Sequence, residues 1–365
     1  MKLSKITSIL EEFAPLSLQE SYDNAGLITG NDNIDITSAL LCIDITEDVI
    51  NEAISKNCNL IISHHPLVFK GLKKITGDNY IERCIIKAIK SDIALYSAHT
   101  NLDCVSNGVS NKMCKKLNLI NTKILDSSTT KLCKISCFCP TGEPSIKLRE
   151  ALFEAGAGEL GNYSHCSFNT EGVGSFMGND NSNPYVGEKN ELHFEREQKI
   201  EVIVPQHLTQ HIVREMIKAH PYEEVAYDII NLQNQNPTIG FGMIGELTKK
   251  MDTKDFILSL KEIFNCKYIR HTDINKKSIK TIAVCGGSGS FLINKAIQQK
   301  ADIFITGDIK YHDYFTTENK MILADIGHYE SEQFTKDIFY EIVTKKLPKF
   351  AVQFSEVNTN PINYI

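Results

Sequence analysis

The stretch Ala39–Pro66, ALLCIDITEDVINEAISKNCNLIISHHP, decides the fold of this 365-residue chain. Apolar runs stand at both of its ends, as in buried strands, and the middle segment has the spacing of an amphipathic helix. Strand, helix and strand in this order predict a βαβ unit, in which the two strands are parallel and the crossover is right-handed.

A second copy of this pattern begins at Ile282 and reads IAVCGGSGSFLINKAIQQKADIFITGDIKYHD. The copies match without gaps at an offset of 243 residues, so that Cys42 falls on Cys285 and Asn51 on Asn294. Each copy is followed by a strand that ends in polar residues, ALYSAHTNLD in the first and MILADIGHYESE in the second. The repeat predicts an α/β core domain of two related halves, in which side chains at the carboxyl ends of the parallel strands can converge.

Between the halves the pattern changes to strand, helix, strand, strand, helix and strand, which is the ferredoxin-like plan. Its segments include KLCKISCFCP, SIKLREALFEAG and HLTQHIVREMIKAHP, and the polar stretch QNQNP at Gln233–Pro237 is typical of a linker. We therefore predict an inserted α+β domain at residues 131–233, flanked by the two segments of the core domain at 1–130 and 234–365.

Composition limits the classes of function. With 42% hydrophobic residues, the chain can bury a large core without disulfides. The eleven cysteines are scattered and come without a secretory signal, so we expect reduced thiols and a cytoplasmic protein. Cys133, Cys137 and Cys139 do not form a CxxC pair, which favours buried thiols over a metal site. No apolar run reaches the roughly 18 to 20 residues that cross a bilayer, and a net charge of -6 argues against general nucleic-acid binding.

The candidate site begins with His64 and His65, which stand at the end of an apolar strand and before Pro66. Because Pro66 keeps His65 out of the helical conformation, we expect the two imidazoles to leave the strand end in divergent directions. Two divergent rings do not easily coordinate one metal ion, whereas two ions could each bind one ring and share a bridging carboxylate.

Three further residues complete the candidate ligand set of His64, His65, Asp103, His328 and Glu332. The repeat aligns His99 with His328 and Asp103 with Glu332. His328 and Glu332 share one face if a helix begins there, so Glu332 could bridge the ions while His328 lies opposite Asp103. Imidazoles and carboxylates without a thiolate suit Zn, Fe, Mn or Co. A histidine at a strand end is often structural and HxxxE is often a surface pair, but the five residues together favour metal binding.

The glycine-rich run CGGSGS offers a second candidate function. Its residues Gly286, Gly287, Ser288 and Gly289 could cradle an anion of the substrate at a helix N-terminus. The run lacks the full spacing of a dinucleotide or Walker motif, so a tight turn between strand and helix explains it equally well.

Three neighbours of these strand ends are candidates for supporting roles. His99 is a candidate hydrogen-bond partner of the ligands or a proton shuttle, with a histidine bound to backbone as the alternative. Asp308 and His312, in TGDIKYHD, are expected to line the pocket rather than to bind a metal.

Six stretches of the chain resemble one known family, the NIF-three-like dinuclear-metal hexameric proteins, or GTP cyclohydrolase 1 type 2 homologues. They are SYDNAGLITG, SHHPLVF, HTNLD, CGGSGS, TGDIKYHD and DIGHYESE, which are spread through both halves. In the insert, HPYEEVAYDI resembles the PII-like or CutA-like domain of the longer members. The resemblance covers nearly the whole chain. It implies two divalent metal ions per chain, held by the five candidate ligands, and a toroidal homohexamer.

The resemblance also implies an activity, the opening of the GTP imidazole ring with loss of formate by metal-bound hydroxide. The same ligands would serve a phosphoesterase acting on nucleotides or other small phosphoesters equally well. A third interpretation is a metal-binding or regulatory scaffold without catalysis, whose insert senses a ligand or partner.

Overall fold

The computed structural model describes residues 1–127 and 131–365. The chain divides into two compact units. Met1–Asp126 and Thr238–Ile365 form one unit, called here the core domain, and Ser127–Pro237 form the other, called the insert domain. Among the described residues, none of the helices has the length and apolar character that a membrane crossing requires.

The helices and strands are given in chain order. The first half of the core domain contains α1 (Leu3–Phe13), β1 (Gly26–Thr29), β2 (Ser38–Cys42), α2 (Glu47–Ser55), β3 (Leu60–Ser63), α3 (Tyr80–Lys90), β4 (Ala94–Ser97), α4 (Thr100–Asp103), α5 (Val109–Lys116) and β5 (Ile120–Asp126). The insert domain contains β6 (Lys131–Pro140), α6 (Glu143–Glu154), β7 (Ser167–Phe176), β8 (His193–Pro205), α7 (Thr209–Ala219) and β9 (Tyr227–Gln235). The second half contains β10 (Phe241–Asp252), α8 (Thr253–Ile263), β11 (Arg270–His271), β12 (Ser278–Ser288), α9 (Ile293–Gln298), β13 (Ile303–Gly307), β14 (Ile322–Asp325), α10 (His328–Glu332), α11 (Thr335–Lys346) and β15 (Ala351–Phe354).

The first sheet of the core domain has the strand order β1-β4-β3-β2-β15. Strands β2, β3 and β4 are parallel and wholly buried. Alternate residues face two different clusters: Leu41 and Ile62 join the cluster of α1 and α11, whereas Leu40 and Ile61 join that of α2 and α3. Burial on both faces explains why the sequence shows continuous apolar runs here and no alternation.

The second sheet repeats this arrangement with the order β11-β14-β13-β12-β10-β5. Strands β12, β13 and β14 are again parallel, and β11 is antiparallel to β14 as β1 is antiparallel to β4. The predicted α/β fold with two related halves is confirmed.

Two strands are exchanged between the halves. Strand β15 of the second half pairs with β2 of the first, and β5 of the first half pairs with β10 of the second. In the latter pair Asp126 lies opposite Phe241, so the chain leaves and re-enters the second sheet on neighbouring strands. The sequence repeat did not predict this exchange.

The insert domain forms an antiparallel sheet of order β7-β8-β6-β9, with α6 and α7 between its strands along the chain. This is the strand order of a ferredoxin-like α+β domain, as predicted. Cys133, Cys137 and Cys139 belong to its buried apolar cluster. All eleven cysteines of the chain lie among the described residues and are free thiols.

Candidate metal centre

The five candidate ligands come together where parallel strands of both sheets end. His64 and His65 follow β3, and Asp103 is the last residue of α4, which follows β4. His328 and Glu332 begin and end α10, which follows β14. This is the position at which α/β folds commonly place their ligands.

The histidine pair is fixed by the backbone at the end of β3. The amides of His64 and His65 both donate to the carbonyl of Ile43, at 3.2 and 3.0 Å. The rings lie 4.9 Å apart between centroids, with their planes at 42°. The expectation of divergent rings is therefore not met, because both rings approach the same cluster.

Glu332 lies at the centre of this cluster, and only 3% of its side chain is exposed. Its Oε1 is 3.5 Å from His64 Nε2. Its Oε2 is 3.0 Å from Nε2 of both His65 and His328. Asp103 Oδ1 approaches His64 Nε2 to 3.6 Å. The two oxygens of one carboxylate thus face different imidazoles.

The donor atoms form three overlapping groups, in each of which all of them lie within 4.8 Å of one another. The groups are His64 with Asp103 and Glu332, His65 with His328 and Glu332, and His64 with His65 and His99. Glu332 belongs to the first two groups. His99, predicted only as a supporting residue, also offers a donor atom.

Several buried atoms of this cluster lack hydrogen-bond partners within residues 1–127 and 131–365. They are His64 Nε2, Asp103 Oδ1 and Glu332 Oε2. A buried polar atom without a partner costs on the order of 1–3 kcal/mol, so three of them in one cluster require compensation. A bound cation would supply it, and imidazole with carboxylate is a donor set that suits Zn, Fe, Mn or Co. The residues therefore fit a metal centre.

Each of the four imidazoles is oriented by a hydrogen bond from its Nδ1. The acceptors are Ala98 O for His64 at 2.9 Å, Asp44 for His65 at 2.7 Å, Asp23 for His99 at 2.7 Å, and Asp308 for His328 at 2.6 Å. Since these oxygens only accept, Nδ1 carries the proton and Nε2 is left as a donor atom for a metal.

Asp308 was among the supporting residues predicted from the sequence, whereas Asp23 and Asp44 were not. Asp44 follows β2, but the repeat aligns it with Gly287, so the repeat contained no signal for it. Asp23 lies in the quoted stretch SYDNAGLITG, but it meets His99 across 76 residues of chain, which no local pattern reveals. His312 packs against the rings of Tyr311 and Phe315, and it belongs to none of the donor groups found among the described residues.

The charges of the cluster oppose the effect of burial. Burial favours neutral imidazole, but the carboxylates of Glu332 and Asp44 outweigh it and raise the pKa of His65 to about 10. In the same way Glu332 and Asp308 raise the pKa of His328 to about 11 against burial. Burial would raise the pKa of Glu332, yet the neighbouring imidazoles hold it well below its usual range. Burial and the charge of Glu332 raise the pKa of Asp103 to about 7. A divalent cation would take the place of these protons.

The glycine-rich run makes room for Glu332. Strand β12 continues through Gly286 and Gly287, and Gly287 has φ +60°. A Cβ on Gly287 would lie 2.3 Å from Glu332 Oε1. The amides of Gly287 and Gly289 donate to the hydroxyls of Ser331 and Thr306, each at 2.9 Å. These two amides are therefore engaged, and the role of the run Gly286–Gly289 as an anion cradle stays a prediction.

Unusual backbone geometry brings His328 to its position. A Cβ on Gly307 would lie 2.7 Å from the amide nitrogen of His328, and Gly327, which precedes His328, has φ +98°. Asp308 has φ +55°, which is uncommon for a residue with a side chain. Such conformations cluster at functional sites because the surrounding structure must enforce them.

The two related halves and the imidazole–carboxylate cluster at their strand ends define an α/β protein with a candidate metal centre. The chain belongs to the Duf34/NIF3 (NGG1p interacting factor 3) family, whose profile matches residues 1–361. The resemblance inferred from the sequence is thus confirmed.

Similar proteins cover the full length of the chain. A Bacillus subtilis protein named GTP cyclohydrolase 1 type 2 homolog is 37% identical over 99% of this chain and 98% of its own length. A Staphylococcus epidermidis protein of the same name is 36% identical over the whole of both chains. Among solved structures, a Bacillus cereus protein related to NIF3 has a TM-score of 0.85 at 34% identity and covers 100% of this chain and 99% of its own. The fold is also shared by HcgD from Methanocaldococcus jannaschii, at 19% identity, a TM-score of 0.57 and 98% coverage of both chains.

Proposed function

We propose that the core domain binds two divalent metal ions and is a metal-dependent hydrolase of the GTP cyclohydrolase 1 type 2 kind. His64 and Asp103 would hold one ion, His65 and His328 the other, and Glu332 would bind both. The observation that supports two ions is the placement of Glu332, whose Oε1 faces His64 and whose Oε2 faces His65 and His328. A carboxylate shared in this way is the usual bridge of a dinuclear site.

Bound divalent ions would act as Lewis acids and activate water for hydrolysis. The residues of the chain orient the donors and manage protons. Asp44 and Asp308 hold His65 and His328 with Nε2 towards the cluster. The side chain of His99 is 17% exposed and is fixed by Asp23 through Nδ1, so its Nε2 can accept or give a proton at the edge of the site.

The substrate proposal comes from the relatives named GTP cyclohydrolase 1 type 2 homolog. Opening of the GTP imidazole ring by water releases formate. We also propose that the chain is a cytoplasmic homohexamer, as the family resemblance implies. Free thiols throughout fit a reducing compartment, and mass photometry of the purified protein would test the sixfold mass.

The experiment is a metal count combined with a product assay. Protein loaded separately with Zn, Fe, Mn or Co is analysed for bound metal and then incubated with GTP, while formate, phosphate and fluorescent pterin-type products are measured. We expect two ions per chain and formate release that His65→Ala abolishes. His211→Ala is the matched control, because His211 is an exposed histidine on a helix of the insert domain.

Other outcomes separate the alternatives. At most one ion per chain would refute the dinuclear centre. Phosphate release without formate would favour the phosphoesterase, which the same donor set would serve. No turnover with any of the four metals would favour the non-catalytic scaffold.

A further inference from the structure

A cavity of about 640 Å³ lies in the second half of the core domain. Its lining includes Arg270 and His271 of β11, the exposed aromatic residues Tyr311 and Phe315, and the partly exposed Tyr314. This volume falls in the range of small-molecule binding sites in proteins. None of its lining residues belongs to the proposed ligand set.

Arg270 is the arginine of the cavity lining, which also contains the carboxylates of Asp273 and Glu318. Its guanidinium pairs with the buried carboxylate of Asp325, its cross-strand neighbour, and Nη2 also donates to Ile309 O at 3.4 Å. The side chain is nevertheless 65% exposed. Because a guanidinium has five donors in a planar fork, Arg270 can keep these contacts and still bind a phosphate group.

The aromatic side of the cavity is formed by the 3-10 helix Tyr311–Thr317. Tyr311 is 72% and Phe315 64% exposed, and their rings meet edge to face with centroids 5.4 Å apart. Large aromatic residues exposed on the rim of a cavity leave ring faces open. Planar heterocycles such as nucleobases stack on faces of this kind.

Hydrogen bonds connect the cavity wall to the candidate metal centre. Ile309, whose carbonyl accepts from Arg270, directly follows Asp308, and Asp308 orients His328 at 2.6 Å. Asp325 accepts from the amide of Ile309 at 3.0 Å and from the amide of Gly327 at 3.0 Å. Thus Arg270 and His328 are fixed to the same short backbone segments, Asp308–Ile309 and Asp325–Gly327.

We propose that this cavity is a nucleotide-recognition subsite, in which Arg270 binds phosphate and the ring of Tyr311 stacks on the base, with Phe315 against the edge of Tyr311. The inference rests on the proposed function, since it assigns the non-reacting parts of the nucleotide to residues outside the metal centre. Such remote contacts supply the binding energy that positions the reacting part of a substrate.

The test is equilibrium binding by calorimetry to the full-length protein, both metal-loaded and metal-free. The probes are GTP, guanosine and inorganic tripolyphosphate. We expect Arg270→Gln to weaken the binding of GTP and of tripolyphosphate about tenfold or more and to leave the binding of guanosine unchanged. We expect Tyr311→Ala to weaken the binding of GTP and of guanosine about tenfold and to leave the binding of tripolyphosphate unchanged.

Two matched controls are available. Tyr163→Ala removes a tyrosine of the insert domain that is 74% exposed, close to the value for Tyr311. Arg83→Gln removes an exposed arginine that pairs with Glu47 at 2.7 Å. Neither control should change binding of any probe. Bound metal is counted for every variant, because Arg270→Gln must leave the metal count unchanged to report on the cavity.

The outcomes distinguish this inference from the proposed function. The subsite is refuted if GTP does not bind, or if Arg270→Gln and Tyr311→Ala both leave its affinity within twofold of the unaltered protein. Formate release from GTP with an unchanged KM in both variants would refute the subsite and retain the hydrolase. The predicted pattern of binding without turnover under any metal would retain the subsite and refute the hydrolase.

Discussion

The carboxyl ends of the two parallel strand triplets, β2–β4 and β12–β14, have the same geometry but different chemistry. After β3 the first half places His65, whereas after β13 the second half places Asp308 at the aligned position. His65 faces Glu332 directly, while Asp308 acts through His328. The matched residues Asp103 and Glu332 also differ. The longer side chain of Glu332 reaches both groups of imidazoles, whereas Asp103 belongs to one group only. The repeated architecture forms the crevice, and different residues at equivalent positions supply its candidate donors and the carboxylates that orient them.

The sharpest test of this division compares Glu332→Gln with Asp103→Asn. Glu332 belongs to two donor groups and Asp103 to one. We therefore expect Glu332→Gln to remove both of the proposed ions and Asp103→Asn to remove only the one proposed to bind His64. Metal analysis of the purified variants measures this. Equal losses in the two variants would contradict a bridging role for Glu332.

The next effect concerns the glycine that gives Glu332 its space. Gly287→Ala combines φ +60° with a Cβ 2.3 Å from Glu332 Oε1, so we expect a lower stability, by about 1–3 kcal/mol, and weaker metal binding. Gly161→Ala is the matched control, with φ +61° and no atom within 4 Å of the new Cβ. Gly161→Ala should lower the stability only by the cost of placing alanine at positive φ, and it should leave the metal affinity unchanged. Thermal unfolding and a metal titration give the two quantities, and identical behaviour of both variants would refute the packing argument.

The orienting carboxylates should matter less than the ligands. Asp308→Asn weakens the hold on His328 Nδ1, and loss of such an orienting group typically lowers metal affinity about 10- to 100-fold. Thr359→Val removes the hydroxyl that donates to Asp44 Oδ2 at 2.6 Å, one step further from His65, so we expect a smaller loss. Competition with a chelator would rank the two, and a larger effect of Thr359→Val would reverse the proposed order.

The smallest expected effect concerns the connections that join neighbouring parallel strands, β3 to β4 in the first half and β13 to β14 in the second. The first half crosses from β3 to β4 through α3, whereas the second half has only the 3-10 helix Tyr311–Thr317. Glu82 fastens the start of α3, where the amides of Thr76, Gly77 and Asp78 donate to its carboxylate at 2.8–3.0 Å. These bonds lower its pKa from 4.5 to about 2.

Because the folded-state pKa of Glu82 lies below the unfolded one, its stabilisation is complete above about pH 5.5 and declines as the pH falls through 4.5 towards 2. Glu82→Gln should therefore lower the urea midpoint at pH 7 and approach the unaltered protein as the solution is acidified. Glu341→Gln, at an exposed carboxylate paired with Lys112, is the control. A difference that stays constant from pH 7 to pH 4 would contradict this account.

Sequence patterns were sufficient for the parts of the fold that depend on local periodicity. The βαβ units, the order of the insert strands and the place of His64 and His65 at a strand end followed from apolar runs and Pro66. The exchange of β5 and β15 did not, because the choice of a sheet partner depends on contacts between distant segments. The hydrogen bond from His99 to Asp23 was not predicted for the same reason. The direction of each imidazole ring depends on hydrogen bonds of this kind.

The pairing of β5 with β10 has a consequence for the insert domain. Asp126 lies opposite Phe241, so the 111 residues Ser127–Pro237 occupy the position of the turn in an antiparallel hairpin. A hairpin turn can be shortened or lengthened without altering the ladder that it closes. We therefore expect a chain in which a short glycine-containing turn joins β5 to β10 to keep the strand pairings of both core sheets, and it retains every residue of the candidate metal centre. Both core sheets and all the candidate ligands therefore belong to the two segments Met1–Asp126 and Thr238–Ile365, on either side of the insert domain.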